Sequence, residues 1–152
     1  MNVTVREMDA SDRAAWAAMR TELWPDEPLS VHQSELREFL QRGNFWGFVA
    51  EVPNGEAAGF AEFAIRDYAN GCLGRPVAFL EGIWVKPQFR RQGIGARLLK
   101  AVEAFLTARG FTELGSDAAI DNRESHVAHA AWGFKETERV VYFRKDLKPV
   151  GS

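Results

Sequence analysis

A chain of 152 residues with 46% hydrophobic content can bury one core and leaves little room for a second domain. Its 19 basic and 21 acidic residues give a formal charge of -2, which excludes the global cationic field that holds nucleic acid or an anionic membrane. The single Cys72 excludes an internal disulfide framework, and its setting Asn70-Gly71-Cys72 reads as a loop thiol in a reducing compartment.

Met1 to Glu7 lacks the apolar core of a signal peptide, and no run approaches the roughly 18 apolar residues of a membrane span, so a cytoplasmic protein is expected. Thr4 to Met8 alternates like a short strand. Asp9 or Ser11 then caps a helix with Ala15, Trp16, Met19 and Leu23 on its apolar face, stopped by Pro25. Ser30 opens a second helix carrying Leu36, Phe39 and Leu40. Phe45 to Val52 and Gly59 to Arg66 read as antiparallel strands joined through Pro53-Asn54-Gly55, where Asn-Gly favours a tight hairpin turn. Val77 to Val85 is apolar on both faces, as a covered central strand must be, apart from Glu81 and Gly82.

From Gly93 a helix presents Ile94, Leu98, Val102 and Phe105 at spacings of three and four, and it ends at Gly110. Leu114 to Ala118 is a brief strand, Asp121-Asn122 caps a short helix through Trp132, and Glu138 to Arg144 reads as a last strand. The order describes an α/β domain with a mixed sheet and one central β-α-β crossover over residues 1–147, followed by a tail, 148–152.

Between the central strand and the strongest helix lies Lys86-Pro87-Gln88-Phe89-Arg90-Arg91-Gln92-Gly93-Ile94-Gly95-Ala96. A helix N-terminus points free N–H groups and a positive dipole end at one small volume; Gly93 and Gly95 allow close approach, and Arg90, Arg91 and Arg97 add charge. That geometry suits phosphate. The pattern is neither the Gly-x-Gly-x-x-Gly dinucleotide fingerprint nor a Walker loop. A helix start with two loop glycines and no ligand is the plain alternative.

At Arg90, Gly93 and Gly95 the chain resembles the GNAT superfamily of N-acetyltransferases, whose signature is Arg/Gln-x-x-Gly-x-Gly/Ala. The resemblance implies a mostly antiparallel sheet of six to seven strands, splayed between strands four and five. It implies acetyl-CoA as co-substrate, with its pyrophosphate on the amides of Arg91, Gln92, Gly93, Ile94, Gly95 and Ala96. Pantetheine would pair with Ile83, Trp84 and Val85, a backbone N–H near Val85 would polarise the thioester carbonyl, and Asn122 would belong to a second cofactor motif. Many family members carry a tyrosine, as acid for the departing thiolate, where this chain has His129; histidine can serve as that acid, or only hydrogen-bond the cofactor or fill the helix face.

Glycine weakens a central strand and marks breaks in pairing, so Gly82 predicts a bulge. Glu81 beside it is a carboxylate in an apolar strand. It either holds an acceptor ammonium and removes its proton or forms an ion pair with Arg66 or Arg144. Leu23-Trp24-Pro25, Tyr68 to Cys72, Phe79 to Ile83, Ser116-Asp117 and Glu136 to Tyr142 narrow the resemblance to aminoglycoside 6'-N-acetyltransferases. On that likeness Trp24, Tyr68, Glu81, Asp117 and Glu138 would hold an aminoglycoside, and the chain would be a homodimer, its last strand's exposed edge a candidate interface.

Direct transfer in a ternary complex is the expected reaction; a polyamine or protein amine as acceptor, and a non-catalytic acyl-CoA-binding module, are the alternatives. Cys72 as a ping-pong nucleophile lacks a neighbouring histidine. His32 and His126 read as surface residues, and no metal is expected.

Overall fold

Thr4–Glu7 (β1), Phe45–Glu51 (β2), Ala57–Arg66 (β3), Val77–Val85 (β4) and Leu114–Gly115 (β5) form one sheet in the order β1-β2-β3-β4-β5. The computed structural model describes residues 2–151; Met1, at the head of the expected N-terminal segment, and Ser152, at the end of the expected tail, lie outside them. The described chain forms two units, Met1–Asp117 and Ala118–Ser152.

In the first unit β1 to β4 pair antiparallel and β5 runs parallel to β4. The helices are α1 (Arg13–Leu23), α2 (Leu29–Gln41) and α3 (Ile94–Ala108). Alternation along β2 sorts them onto two faces. Phe45 and Val49 cluster with Trp16, Met19 and Leu36 of α1 and α2. Trp46 and Phe48 instead meet Phe105 of α3, with Phe63 of β3 completing the aromatic group at centroid separations of 5.2–6.0 Å. Gly47, between Phe45 and Val49 on the first of these faces, leaves room for Trp16: a Cβ there would lie 2.5 Å from its ring.

Several expectations are corrected. Asp9 caps a single 3-10 turn, Ala10–Asp12, before α1, and Ala15 is exposed while Ala17 and Arg20 are buried. The second helix starts at Leu29, with Pro28 rather than Ser30 at its cap. The strand expected over 114–118 has only two paired residues, Ala78↔Leu114 and Phe79↔Gly115. The sheet therefore has five strands, not six or seven, and β4 runs past β5 from Leu80 onward.

The second unit holds α4 (Arg123–Ala131), capped by Asn122, whose side-chain oxygen accepts from the Ser125 N–H at 3.2 Å. Glu138 to Arg144 forms no strand, and residues 135–151 are exposed throughout. A strand exists only when its N–H and C=O groups find a ladder, and among the described residues of this unit there is no other strand to supply one. Among the described residues no helix is long and apolar enough to cross a membrane.

Candidate active site

The register between β3 and β4 slips where Gly82 stood out in the sequence. Glu62 faces Gly82 and Phe63 faces Leu80, so Glu81 is the extra residue of a β-bulge. The bulge lets two consecutive residues serve the α1/α2 side of the sheet. Gly82 receives Trp24, whose Cη2 would lie 2.5 Å from any Cβ at that position, while Glu81 opens into the neighbouring cavity. Trp24 is the residue after the last turn of α1, where Pro25 prevents the helix from continuing.

Trp24, Tyr68 and Glu81, chosen from sequence as acceptor residues, line one cavity of about 670 Å³. Its remaining wall includes Glu27, Asp67 and Asn44. The lining carries five acidic residues (Glu27, Glu35, Glu62, Asp67, Glu81) against three arginines (Arg20, Arg42, Arg66). This local excess of acid suits a cationic ligand although the whole chain is nearly neutral. Glu81 accepts from Arg66 at 2.9 Å (Nε) and 2.6 Å (Nη2), the ion pair that was the structural alternative for this carboxylate. Its side chain keeps 22% exposure, so an ammonium reaching the cavity competes with Arg66 for it.

Beneath the cavity lies a group of buried polar residues that sequence reasoning missed. Arg20 donates from Nη1 to both Glu62 oxygens, at 2.7 and 3.1 Å, and from Nη2 to Glu35 at 2.5 Å. The Trp16 indole N–H donates to the same Glu62 carboxylate at 3.2 Å. Burial pushes the Glu62 carboxyl up to about 7, against the pull of the Arg20 charge and the Trp16 hydrogen bond. His32, expected at the surface, is 1% exposed and joins this group through Arg20. The signal available was Arg20 itself, four positions after Trp16 on the buried face of α1, where a guanidinium requires partners. His126, also read as surface, is half-buried, its Nε2 2.9 Å from the Ala119 carbonyl.

After β4, a 3-10 turn at Pro87–Phe89 leads to the loop that opens α3. The Arg90 Nε donates to the Val85 carbonyl at 2.8 Å, which ties the loop to the strand end. Arg91 and Gly93 both adopt left-handed backbone, with φ of 64° and 76°. The first helical bond runs from the Arg97 N–H to the Gly93 carbonyl at 3.1 Å, so the amides of Ile94, Gly95 and Ala96 precede any intrahelical acceptor. Arg91, Gln92 and Gly93 are exposed. The loop thus has the donors, dipole and access that a diphosphate needs.

No atom lies within 4 Å of a Cβ built on Gly93, so Gly93→Ala meets only the backbone penalty of positive φ. It is expected to lower stability by about 1–2 kcal/mol and to weaken coenzyme A binding several-fold. Urea denaturation and calorimetric titration check both.

Ile83, Trp84 and Val85 occupy the stretch of β4 beyond its pairing with β5. Asp117 is exposed, two residues past β5, and is not part of the cavity lining. The second unit holds Asn122, whose side chain is engaged as the α4 cap, and Glu138 in the exposed segment. His129 rests against Trp132 and Phe134 in the same unit. Its Nδ1 lies 2.7 Å from the Ser125 carbonyl, so Nδ1 carries the proton and donates there. Cys72 packs where Gly115 has no side chain, and burial pushes its thiol up, the opposite of nucleophile activation.

Residues 16–134 match the model of the acetyltransferase (GNAT) family. An aminoglycoside N(6')-acetyltransferase type 1 from Klebsiella aerogenes is 48% identical over 147 residues, 94% of this chain and 96% of that protein. A protein of the same name from Stenotrophomonas maltophilia is 46% identical over 149 residues, 96% and 95% of the two chains. The structure of AAC(6')-Iy in complex with the bisubstrate analogue CoA-S-monomethyl-acetylneamine superposes with a TM-score of 0.89 at 40% identity, covering 97% of this chain and all of that one.

Proposed function

Because the chain belongs to the GNAT acetyltransferase family, we propose that it transfers the acetyl group of acetyl-CoA to the 6'-amine of aminoglycoside antibiotics. The observation that carries this reading is the acidic cavity holding Trp24, Tyr68 and Glu81 beside the bulged strand that leads into the diphosphate loop. A polycationic amino sugar gains a carboxylate for each ammonium and a ring face for its apolar side. Near-full-length relatives named for this activity support the same acceptor.

The reaction runs as one ternary complex. The loop from Arg91 to Ala96 receives the pyrophosphate, Asn122 belongs to the cofactor site, and pantetheine lies along Ile83 to Val85. Glu81, alone or through a water, takes a proton from the 6'-ammonium. The free amine attacks the thioester carbon, the backbone N–H near Val85 stabilises the oxyanion, the new C–N bond forms, the nitrogen releases its second proton to solvent, and the C–S bond breaks. The departing thiolate takes a proton, for which we propose His129 as the acid; with Nδ1–H held by the Ser125 carbonyl, a proton on Nε2 requires the imidazolium. The likeness to aminoglycoside acetyltransferases makes Asp117, outside the cavity lining, and Glu138 candidates for the acceptor's remaining ammonium groups.

Thiol release from acetyl-CoA, measured with kanamycin, spermine and a lysine peptide, tests the function. Release with kanamycin is expected. Release with spermine alone moves the acceptor to a polyamine, and none with any amine leaves a binding module.

The single cysteine fits a cytoplasmic setting, which cell fractionation checks. A homodimer is favoured by the exposed run Val140, Val141, Tyr142 and Phe143, whose exposures of 47, 76, 80 and 91% give an apolar surface that a second copy would cover. Sedimentation equilibrium is expected to give twice the chain mass; a monomer removes this proposal.

A further inference from the structure

We infer that Arg20, His32 and Glu62 are positioning residues for Trp24, and that this buried group sets how tightly the acceptor is held; the inference rests on the aminoglycoside reading. Chemistry fixes the direction of every hydrogen bond in it. A guanidinium can only donate, so at 3.3 Å the Arg20 Nε–H donates a hydrogen bond to an unprotonated His32 Nδ1. The proton of the neutral ring is then on Nε2, which donates to the Trp24 carbonyl at 3.1 Å. One imidazole thereby connects the buried charge to the backbone of the residue that forms the cavity wall.

The Trp24 ring is held by the same group. The His32 ring stacks on it at 6.2 Å with an interplanar angle of 21°, and the Arg20 guanidinium carbon lies 5.0 Å from its centroid. Its far edge fills the space over Gly82, the residue that follows Glu81 in the bulge. Arg20 is in turn fixed by Glu62 from β3 and Glu35 from α2. His32 thus constrains the backbone of Trp24 and, with Arg20, its ring, while the strand at Gly82 confines the ring edge. A tryptophan presented to a sugar works as a platform only while it stays in one place, and its immobility is what this group supplies.

Arg20, His32 and Glu62 line the base of the cavity but are only 3, 1 and 1% exposed, so their effect is expected to pass through Trp24, and a double-mutant cycle isolates that path. His32→Phe keeps the stacked ring and removes both hydrogen bonds; His32→Gln restores a donor and an acceptor. With kanamycin as acceptor, His32→Phe is expected to raise KM about tenfold, the loss of two hydrogen bonds, and to leave KM for acetyl-CoA within about twofold. His32→Gln is expected to recover most of the loss. In a Trp24→Ala background the same His32→Phe change is expected to have no further effect on KM.

A readout independent of turnover uses protein labelled with 5-fluorotryptophan, the Trp24 resonance being assigned with Trp24→Phe. The expected result is broadening of the Trp24 line in His32→Phe, with the Trp46 line unchanged. An unbroadened Trp24 line, an equal rise in both KM values, or a full His32→Phe effect without Trp24 overturns the inference. A wild-type protein that acetylates no aminoglycoside defeats the acceptor reading instead, and the linewidths then still decide whether the group immobilises Trp24.

Discussion

Glu81→Gln is expected to lower kcat for kanamycin acetylation by about a hundredfold or more while coenzyme A binding stays within about twofold of the parent. Glutamine keeps the size and one acceptor oxygen of Glu81 but neither attracts an ammonium nor takes its proton. Its ion-pair partner Arg66 is 41% exposed, so water solvates that guanidinium when the carboxylate is lost and no buried charge is stranded. The fold should therefore tolerate the change, and lost turnover reports chemistry. Equal kcat values for the two proteins would remove Glu81 from the proton transfer. A rise in KM for kanamycin at unchanged kcat would make it an anchor for the ammonium instead.

Arg20→Met is expected to destabilise the fold by about 3–5 kcal/mol at pH 8, the usual consequence of removing one partner from a buried ion pair. The loss should be clearly smaller at pH 5. The variant leaves Glu62, 1% exposed, with the Trp16 N–H but without its cation. Burial already raises that carboxyl from 4.5 to about 7 with Arg20 present, and removing the guanidinium raises it further. A carboxyl whose folded pKa exceeds its unfolded one contributes most to relative stability below the unfolded value, and that contribution disappears as pH climbs through the folded one. The deficit of the variant therefore grows from pH 5 to pH 8. Urea denaturation of both proteins at the two pH values measures it; a deficit independent of pH would mean that Glu62 is not the group left stranded.

The parts of the fold that were legible in sequence are those set by local pattern. The doubly apolar run predicted β4 with both ends in place, the three-and-four spacing after Gly93 predicted α3, and Gly82 marked the bulge that carries Glu81 into the cavity wall. Phosphate-loop geometry followed from the same local rules. The acidic cavity was visible only as candidate residues: Trp24, Tyr68 and Glu81 do converge, whereas Asp117 stays outside the lining. What escaped depends on distant partners. His32 sits in a helix turn of ordinary polarity, and its burial follows from Arg20, twelve positions back, and through it from Glu62, a further 42 residues along the chain. Val140 to Phe143 has strand propensity, yet propensity without a neighbouring ladder leaves it unpaired.

The cavity is built in two tiers that differ in how they can change over generations. In the lower tier, Arg20 of α1 bonds at once to Glu35 and His32 of α2 and Glu62 of β3, so a substitution at this hub leaves charges and an acceptor stranded. The upper tier, where Glu27, Asp67 and Tyr68 are exposed, has no such mutual dependence. A lineage pressed by a new antibiotic can therefore alter its rim one codon at a time, while the floor stays nearly frozen. Variation in drug range should accumulate at the mouth of this site and be rare at its base.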